Sequence, residues 1–279
     1  MKEIKKKRPL AILVTGLNKP YLEMSLKMVN SLKKTNPDIE KKADIILYTE
    51  KDALRHGFTF LPNDLKMRYM TPIFLSELIK DYECVVRLDS DQIITGDISH
   101  VWEGDFDVAV VQNGNPRELT SQQQMMGRTV NVWDIDALKD YVNCGFVVVK
   151  SERFVNHWLK LCTPERQMYQ FYEQDFLNIL VYYGDYKVRF LDKEDNNKWH
   201  SLISKGYWSE IVLKDKQLVL PKDSGTEFDA WPTDNDKEIV CIHVAGGQDP
   251  TKFNFGFIDS RFQKDVATYL KYLISDEKT

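Results

Sequence analysis

Apolar positions in the first half of the chain fall into short unbroken runs, at 10–15, 43–48, 84–88, 108–112 and 146–149. Runs this short, bounded by polar residues, mark strands buried on both faces. Between them the spacing changes to a helical period. Over 21–34, Leu22, Leu26, Val29 and Leu32 share one face, and 71–80 reads as a further helix. This alternation predicts an α/β fold with a mixed, mostly parallel sheet flanked by helices. In such sheets ligands bind beyond the carboxyl ends of the strands.

The second half is less regular. Helices are expected over 154–161 and 174–183, and strands over 187–191 and 239–243. Between them, 192–236 is polar and carries Trp199, Trp208 and Trp231, suited either to stacking on sugars or to a satellite core. The tail over 260–274 is amphipathic, with Phe262, Val266, Tyr269, Leu270 and Leu273 on one side. Its polar side mixes acids with Lys and Arg, which suits a core-facing helix better than one lying on a membrane, although peripheral docking stays open.

Composition narrows the classes. The chain has 279 residues, 43% hydrophobic and 29% charged, enough for a sizeable core. A net charge of −4 gives no global field for nucleic acid, and no such partner is expected. The basic start before the apolar run 10–14 is too short in its apolar part, and lacks the small-residue cleavage site, to be a secretion signal. No stretch approaches the roughly 18 apolar residues of a membrane span. Cys84, Cys144, Cys162 and Cys241 show no C-x-x-C spacing, which points to a reducing, cytoplasmic setting.

Five constellations carry chemistry. The run Val85-Val-Arg-Leu-Asp89-Ser90-Asp91 ends a central strand in two carboxylates. In an extended segment positions i and i+2 point the same way. Two such carboxylates repel unless a cation lies between them, and Mg²⁺ or Mn²⁺ prefers oxygen ligands; the competing reading is a polar turn. His243 ends another apolar run and is followed by Gly246 and Gly247, which let a ligand approach the backbone. It is either a third metal ligand or an ordinary core histidine. Glu173-Gln174-Asp175-Phe-Leu-Asn178 opens a helix, where acids serve as caps or meet sugar hydroxyls. Asn143-Cys-Gly145 precedes a strand, and Asn18-Lys-Pro-Tyr21 follows the first one, where an aromatic ring could stack on a base.

In this order the five motifs resemble those of the family 8 retaining glycosyltransferases, the glycogenin and bacterial galactosyltransferase group, over roughly residues 10–255. The resemblance implies a GT-A-type, Rossmann-like single domain. It implies transfer of a hexose from a nucleotide-sugar donor, expected to be UDP-linked, to an acceptor that is a glycan, a lipid-linked sugar or a protein. Asp89, Asp91 and His243 would hold Mn²⁺ or Mg²⁺, which neutralises the leaving diphosphate. Tyr21 would stack on uracil, with Asn18 and Ser90 nearby. Asn143, Gly145 and Asp175 would meet the donor sugar or acceptor, and Gln174 would face the anomeric carbon. Gly246 stands in the family's H-x-x-G motif.

The chain departs from the family in three places: Glu173 stands for the first Asp of D-Q-D, the spacer from Asp91 to Asn143 is long, and the diphosphate motif is altered. Asp249 stands where the family has a diphosphate-binding Lys, although Pro250 matches, and Lys252 is the cation available to replace it. Arg68 and Arg87 are further candidates for phosphate. The layout expected is a nucleotide-binding half over 8–112, a polar loop over 113–142 that closes over donor or acceptor, an acceptor-side half over 143–259, and a terminal helix over 260–279. The competing functions are a catalytically inactive nucleotide-sugar-binding scaffold, a nucleotide-sugar hydrolase and a nucleotidyltransferase. For the last, Thr15-Gly-Leu-Asn-Lys-Pro is too poor in Gly and basic residues.

Overall fold

The computed structural model describes residues 6–59, 69–112, 141–162, 173–194, 197–201, 207–222, 224, 235–244 and 258–276. The expected loop therefore lies, over 113–140, outside the described residues. So do Arg68, Trp231, Gly246, Asp249, Pro250 and Lys252.

The elements run β1 (Arg8–Gly16), α1 (Lys19–Thr35), α2 (Ile39–Lys42), β2 (Asp44–Thr49), α3 (Glu50–Arg55), α4 (Met70–Leu78), β3 (Tyr82–Leu88) and β4 (Gln92–Ile94). They continue with β5 (Val108–Gln112), β6 (Val142–Val149), α5 (Glu152–Leu161), α6 (Glu173–Tyr183), β7 (Val188–Phe190), α7 (Leu191–Glu194) and β8 (Lys198–Trp199). Last come β9 (Val212–Lys214), β10 (Gln217–Leu220), β11 (Lys237–Ile239), β12 (Cys241–His243), α8 (Ile258–Arg261) and α9 (Lys264–Ile274).

Six strands form the central sheet in the order β2-β1-β3-β6-β5-β7. β1 is parallel to β2 and β3, and β5 to β7, while β6 runs antiparallel to both its neighbours. Each face covers a core. Leu13, Val85, Val147 and Val149 pack with Phe74, Trp158 and Phe176 on one side; Ile12, Val86, Leu88 and Val148 pack with Met28 and Leu32 on the other.

Helix α1 turns a different face inward from the one its leucines predict. Met24, Ser25, Met28, Ser31 and Leu32 are buried, and Leu26 is exposed. The serines explain the rotation. Ser25 Oγ donates to Thr15 O at 2.9 Å, and Ser31 Oγ accepts from Ile94 N–H at 2.9 Å. Small hydroxyl residues with satisfied bonds let the helix come close to the sheet; hydrophobic spacing alone does not report this.

The expected strand over 239–243 is two strands in different sheets. β11 joins β8, β10 and β9 in a four-stranded sheet, and β12 pairs with β4. Val240 is the hinge: its N–H goes to Trp199 O at 2.9 Å, and its carbonyl accepts from Thr95 and Gly96. Trp199 and Trp208 are buried in the third core with Leu218, Ile239 and Ile242. Their expected alternative as sugar platforms therefore gives way to packing. That core also takes Phe262, Val266, Leu270 and Leu273, so the terminal helix faces inward as its pattern predicts. Among the described residues no helix is long and apolar enough to cross a membrane.

Candidate active site

Strand β3 ends at Leu88, and the chain turns through Asp89, Ser90 and Asp91 before resuming as β4. The two carboxylates thus converge through a turn, not through the extended register expected from the sequence. Two pairings fix that turn. Asp89 N–H donates to Gly145 O at 2.8 Å, and Val244 N–H donates to Asp91 O at 3.0 Å. The antiparallel β4–β12 ladder places His243 opposite Gln92, one residue past Asp91.

The result is a three-residue cluster. One ligand atom from each of Asp89, Asp91 and His243 lies within 4.8 Å of the others. His243 Nε2 is 3.2 Å from Asp91 Oδ1 and 3.6 Å from Asp89 Oδ2. Two ligands at right angles on an octahedral ion with bonds of about 2.1 Å stand about 3 Å apart. The 3.2 Å separation is near that edge and the 3.6 Å one is longer; a donor set of two carboxylates and one imidazole suits a divalent ion such as Mn²⁺ or Mg²⁺. Burial works against the charged form of His243, but Asp91 and then Asp89 outweigh it and hold the imidazole pKa above its ordinary value. Burial likewise opposes ionisation of Asp91, and His243 more than compensates, lowering its pKa.

Gly145 borders this cluster. It lies inside β6 and not ahead of the strand as expected, facing the end of β3. A β-carbon built there would overlap Asp89 Oδ2 and the His243 ring, and would stand 2.7 Å from Asn143 Oδ1. Asn143 Oδ1 accepts from Gly145 N–H at 2.6 Å, which shapes this close approach. Gln92, buried at the start of β4, donates from Nε2 to Gly145 O at 3.0 Å.

A cleft of about 320 Å³ opens over the cluster, lined by Thr15, Leu17, Asn18, Tyr21, Met70, Asp89, Ser90 and Asp91. Asn18 caps α1, its Oδ1 accepting from Tyr21 N–H at 3.2 Å. Tyr21 is partly buried, and desolvation followed by the nearby Asp91 and Asp89 raises its phenol pKa. Asn18, Tyr21 and Ser90 thus share one cleft with the carboxylates.

Gln174 and Asp175 are not among the described residues that line this cleft; both are buried in the first turn of α6. Gln174 Oε1 accepts from Cys144 N–H at 3.0 Å, and Asp175 Oδ1 accepts from Tyr141 O–H at 2.7 Å. Asn178 binds the start of β6 like a missing strand. Its Oδ1 accepts from Val142 N–H at 2.8 Å, and its Nδ2 donates to Val142 O at 2.9 Å. Arg87, a candidate for phosphate on the sequence, is 3% exposed, and its guanidinium is spent on Asp89 and on Cys144 O. It does not line the cleft, so the expectation of a phosphate contact is corrected.

Ser201 was not singled out by the sequence. Its Oγ is 3.3 Å from His243 Nδ1 and so supports the ring from the side away from the carboxylates. The neighbouring His200 is held by buried Asp192, which accepts from its N–H at 2.7 Å and lies 2.9 Å from its Nδ1. A buried Asp shortly before a Trp-His-Ser run is the only sequence trace of this support.

No protein-family model matches the chain, and no curated protein matches it. Solved structures do. The galactosyltransferase LgtC in complex with donor and acceptor sugar analogues superposes with a TM-score of 0.56 at 15% identity, covering 96% of both chains. An active-site mutant of LgtC superposes with a TM-score of 0.58 at 14% identity, covering 94% of both. The bifunctional glycosyltransferase WbbM gives 0.55 at 15% identity over 99% of this chain, which spans 51% of WbbM. The chain therefore carries the GT-A fold of these glycosyltransferases.

Proposed function

We propose that the protein is a metal-dependent glycosyltransferase that moves a hexose from a UDP-linked donor to a glycan, lipid-linked or protein acceptor. One observation carries this reading: Asp89, Asp91 and His243 converge at the end of β3, under a cleft walled by Tyr21 and Asn18, in a GT-A fold.

Asp89, Asp91 and His243 would hold Mn²⁺ or Mg²⁺. When bound, the ion supplies Lewis-acid stabilisation of the departing diphosphate, which removes the need for a protein proton donor. Tyr21 offers a ring to the uracil. Gly145 keeps the space beside the diphosphate free of side chain, and Asn143 shapes that segment. The resemblance would assign Gln174 to the sugar side; its carbonyl oxygen accepts from Cys144 N–H. An amide so engaged is a poor nucleophile. Transfer with retention is then best served by acceptor attack on the same face as the leaving group. In place of the family's diphosphate Lys, Lys252 is the nearest cation in sequence to Asp249.

The test is a panel of UDP-sugars incubated with Mn²⁺ and with chelator, with UDP release as the readout. Metal-dependent release from one donor, increased by an acceptor, is expected. Absence of binding and of release for every UDP-sugar would overturn the reading.

A further inference from the structure

Arg87 stands where a strand residue should be apolar. It is on β3, paired with Leu13 of β1 and Val147 of β6. Val85, two residues earlier on the same face, is core. Taking a guanidinium out of water is costly, and a buried ion pair is seldom retained for stability alone. Here the cost is only partly recovered, because Arg87 Nε has no hydrogen-bond partner among the described residues.

What Arg87 does reach is specific. Nη2 pairs with Asp89 Oδ1, and Nη1 donates to Cys144 O at 2.5 Å. The carboxylate of Glu173, at the start of α6, adds a favourable field. The planar fork thus joins the first carboxylate of the metal cluster to the segment carrying Asn143 and Gly145, beside the helix that carries Gln174. With Oδ1 occupied by Arg87, the oxygen of Asp89 that faces His243 is Oδ2. That same oxygen is the one a side chain at position 145 would strike.

We propose that Arg87 is a positioning residue for the metal centre: it fixes Asp89 as a one-oxygen ligand and locks the 143–145 segment to it. This rests on the metal-dependent reading given above. An alternative role, simple neutralisation of Asp89, predicts the opposite response to removal, because a cation beside a carboxylate ligand weakens the site's attraction for a metal ion.

The experiment is a Mn²⁺ binding isotherm, by calorimetry or by electron paramagnetic resonance of the free ion, on wild type, Arg87→Met and Arg87→Lys. Thermal unfolding would be recorded for each. Arg87→Met should weaken Mn²⁺ at least tenfold. Arg87→Lys keeps the charge but not the fork, cannot hold Asp89 and Cys144 O together, and should fall between the two. In turnover, the apparent KM for Mn²⁺ should rise more than kcat at saturating metal falls. Unchanged or tighter Mn²⁺ binding by folded Arg87→Met would overturn the proposal while leaving the metal site standing. If Arg87→Met does not fold, the lysine variant decides: wild-type affinity there overturns the proposal. Failure of wild type itself to bind Mn²⁺ would remove the metal reading, and this inference with it.

Discussion

Gly145 abuts His243 so closely that no β-carbon fits between them, although the two residues are almost a hundred positions apart in the chain. A strand from the central sheet and a strand from the small ribbon meet at this point, and the Asp89–Asp91–His243 cluster occupies the junction. Gly145→Ala should therefore act on the cluster before it acts on the fold. Overpacking of this kind costs about 1–3 kcal/mol, and the side chains that must give way are Asp89 and His243. Mn²⁺ affinity measured by calorimetry should drop at least tenfold, with a cooperative unfolding transition retained. Wild-type affinity in the alanine variant would show that the approach is looser than described.

In the proposed metal site, the proton on His243 would compete with the ion. Asp91 and Asp89 raise its pKa above 6.5 against the effect of burial. A bound ion needs the neutral ring, so the proton must leave first. Mn²⁺ affinity should weaken as pH falls, and the decline should begin above the pH expected for a free histidine. Titrations across neutral and mildly acid pH test this. An affinity flat down to pH 6.5 would contradict the raised pKa.

Glu173 makes a separate prediction about stability. Burial pushes its carboxyl up to about 7 from 4.5, with Arg87 and Thr71 opposing the shift. Thr71 donates to it from both N–H, at 2.9 Å, and O–H, at 2.5 Å. A raised folded-state pKa means that between 4.5 and about 7 the native protein holds a proton the unfolded chain has released. Stability from this group is therefore full at the acid end and lost as pH rises through the window, by about 3 kcal/mol at most. Glu173→Gln should flatten that slope in urea unfolding. An unchanged slope would place the titration elsewhere.

Asn178 ties α6 to the first residue of β6, and both backbone groups of Val142 depend on it. Leaving two buried backbone groups unpaired should cost about 2–4 kcal/mol in Asn178→Ala. Denaturant unfolding reads this directly. A loss under about 0.5 kcal/mol, the range of ordinary surface substitutions, would mean that the strand end finds other partners.

Much of the central sheet was legible because its strands are apolar runs with clear ends. The carboxylates and His243 were legible as residue types at strand ends, whereas Gly145, expected ahead of a strand, lies inside β6. What the pattern hid has physical reasons. The run around Ile239 to His243 is continuously apolar, so nothing in it signals that Val240 crosses from one sheet to another. The four-stranded sheet is built from strands of two to four residues in polar sequence. Its hairpin turns through Asp215 and Lys216, both at positive φ, where Asn-Gly or Asp-Gly would have announced the turn. Ser201 and Arg87 were hidden differently. Each acts through a contact with a distant residue, and neither lies in a pattern that points to its partner.

The central claim is that Asp91 belongs to a metal site that binds a nucleotide diphosphate. Calorimetric titration of UDP into wild type and Asp91→Asn, with and without Mn²⁺, tests it most directly. Wild type should bind UDP strongly only with Mn²⁺. Asp91→Asn should gain nothing from the ion while unfolding at a temperature close to that of wild type. Equal UDP binding by wild type with and without Mn²⁺, or an intact Mn²⁺ effect in Asp91→Asn, would contradict the account.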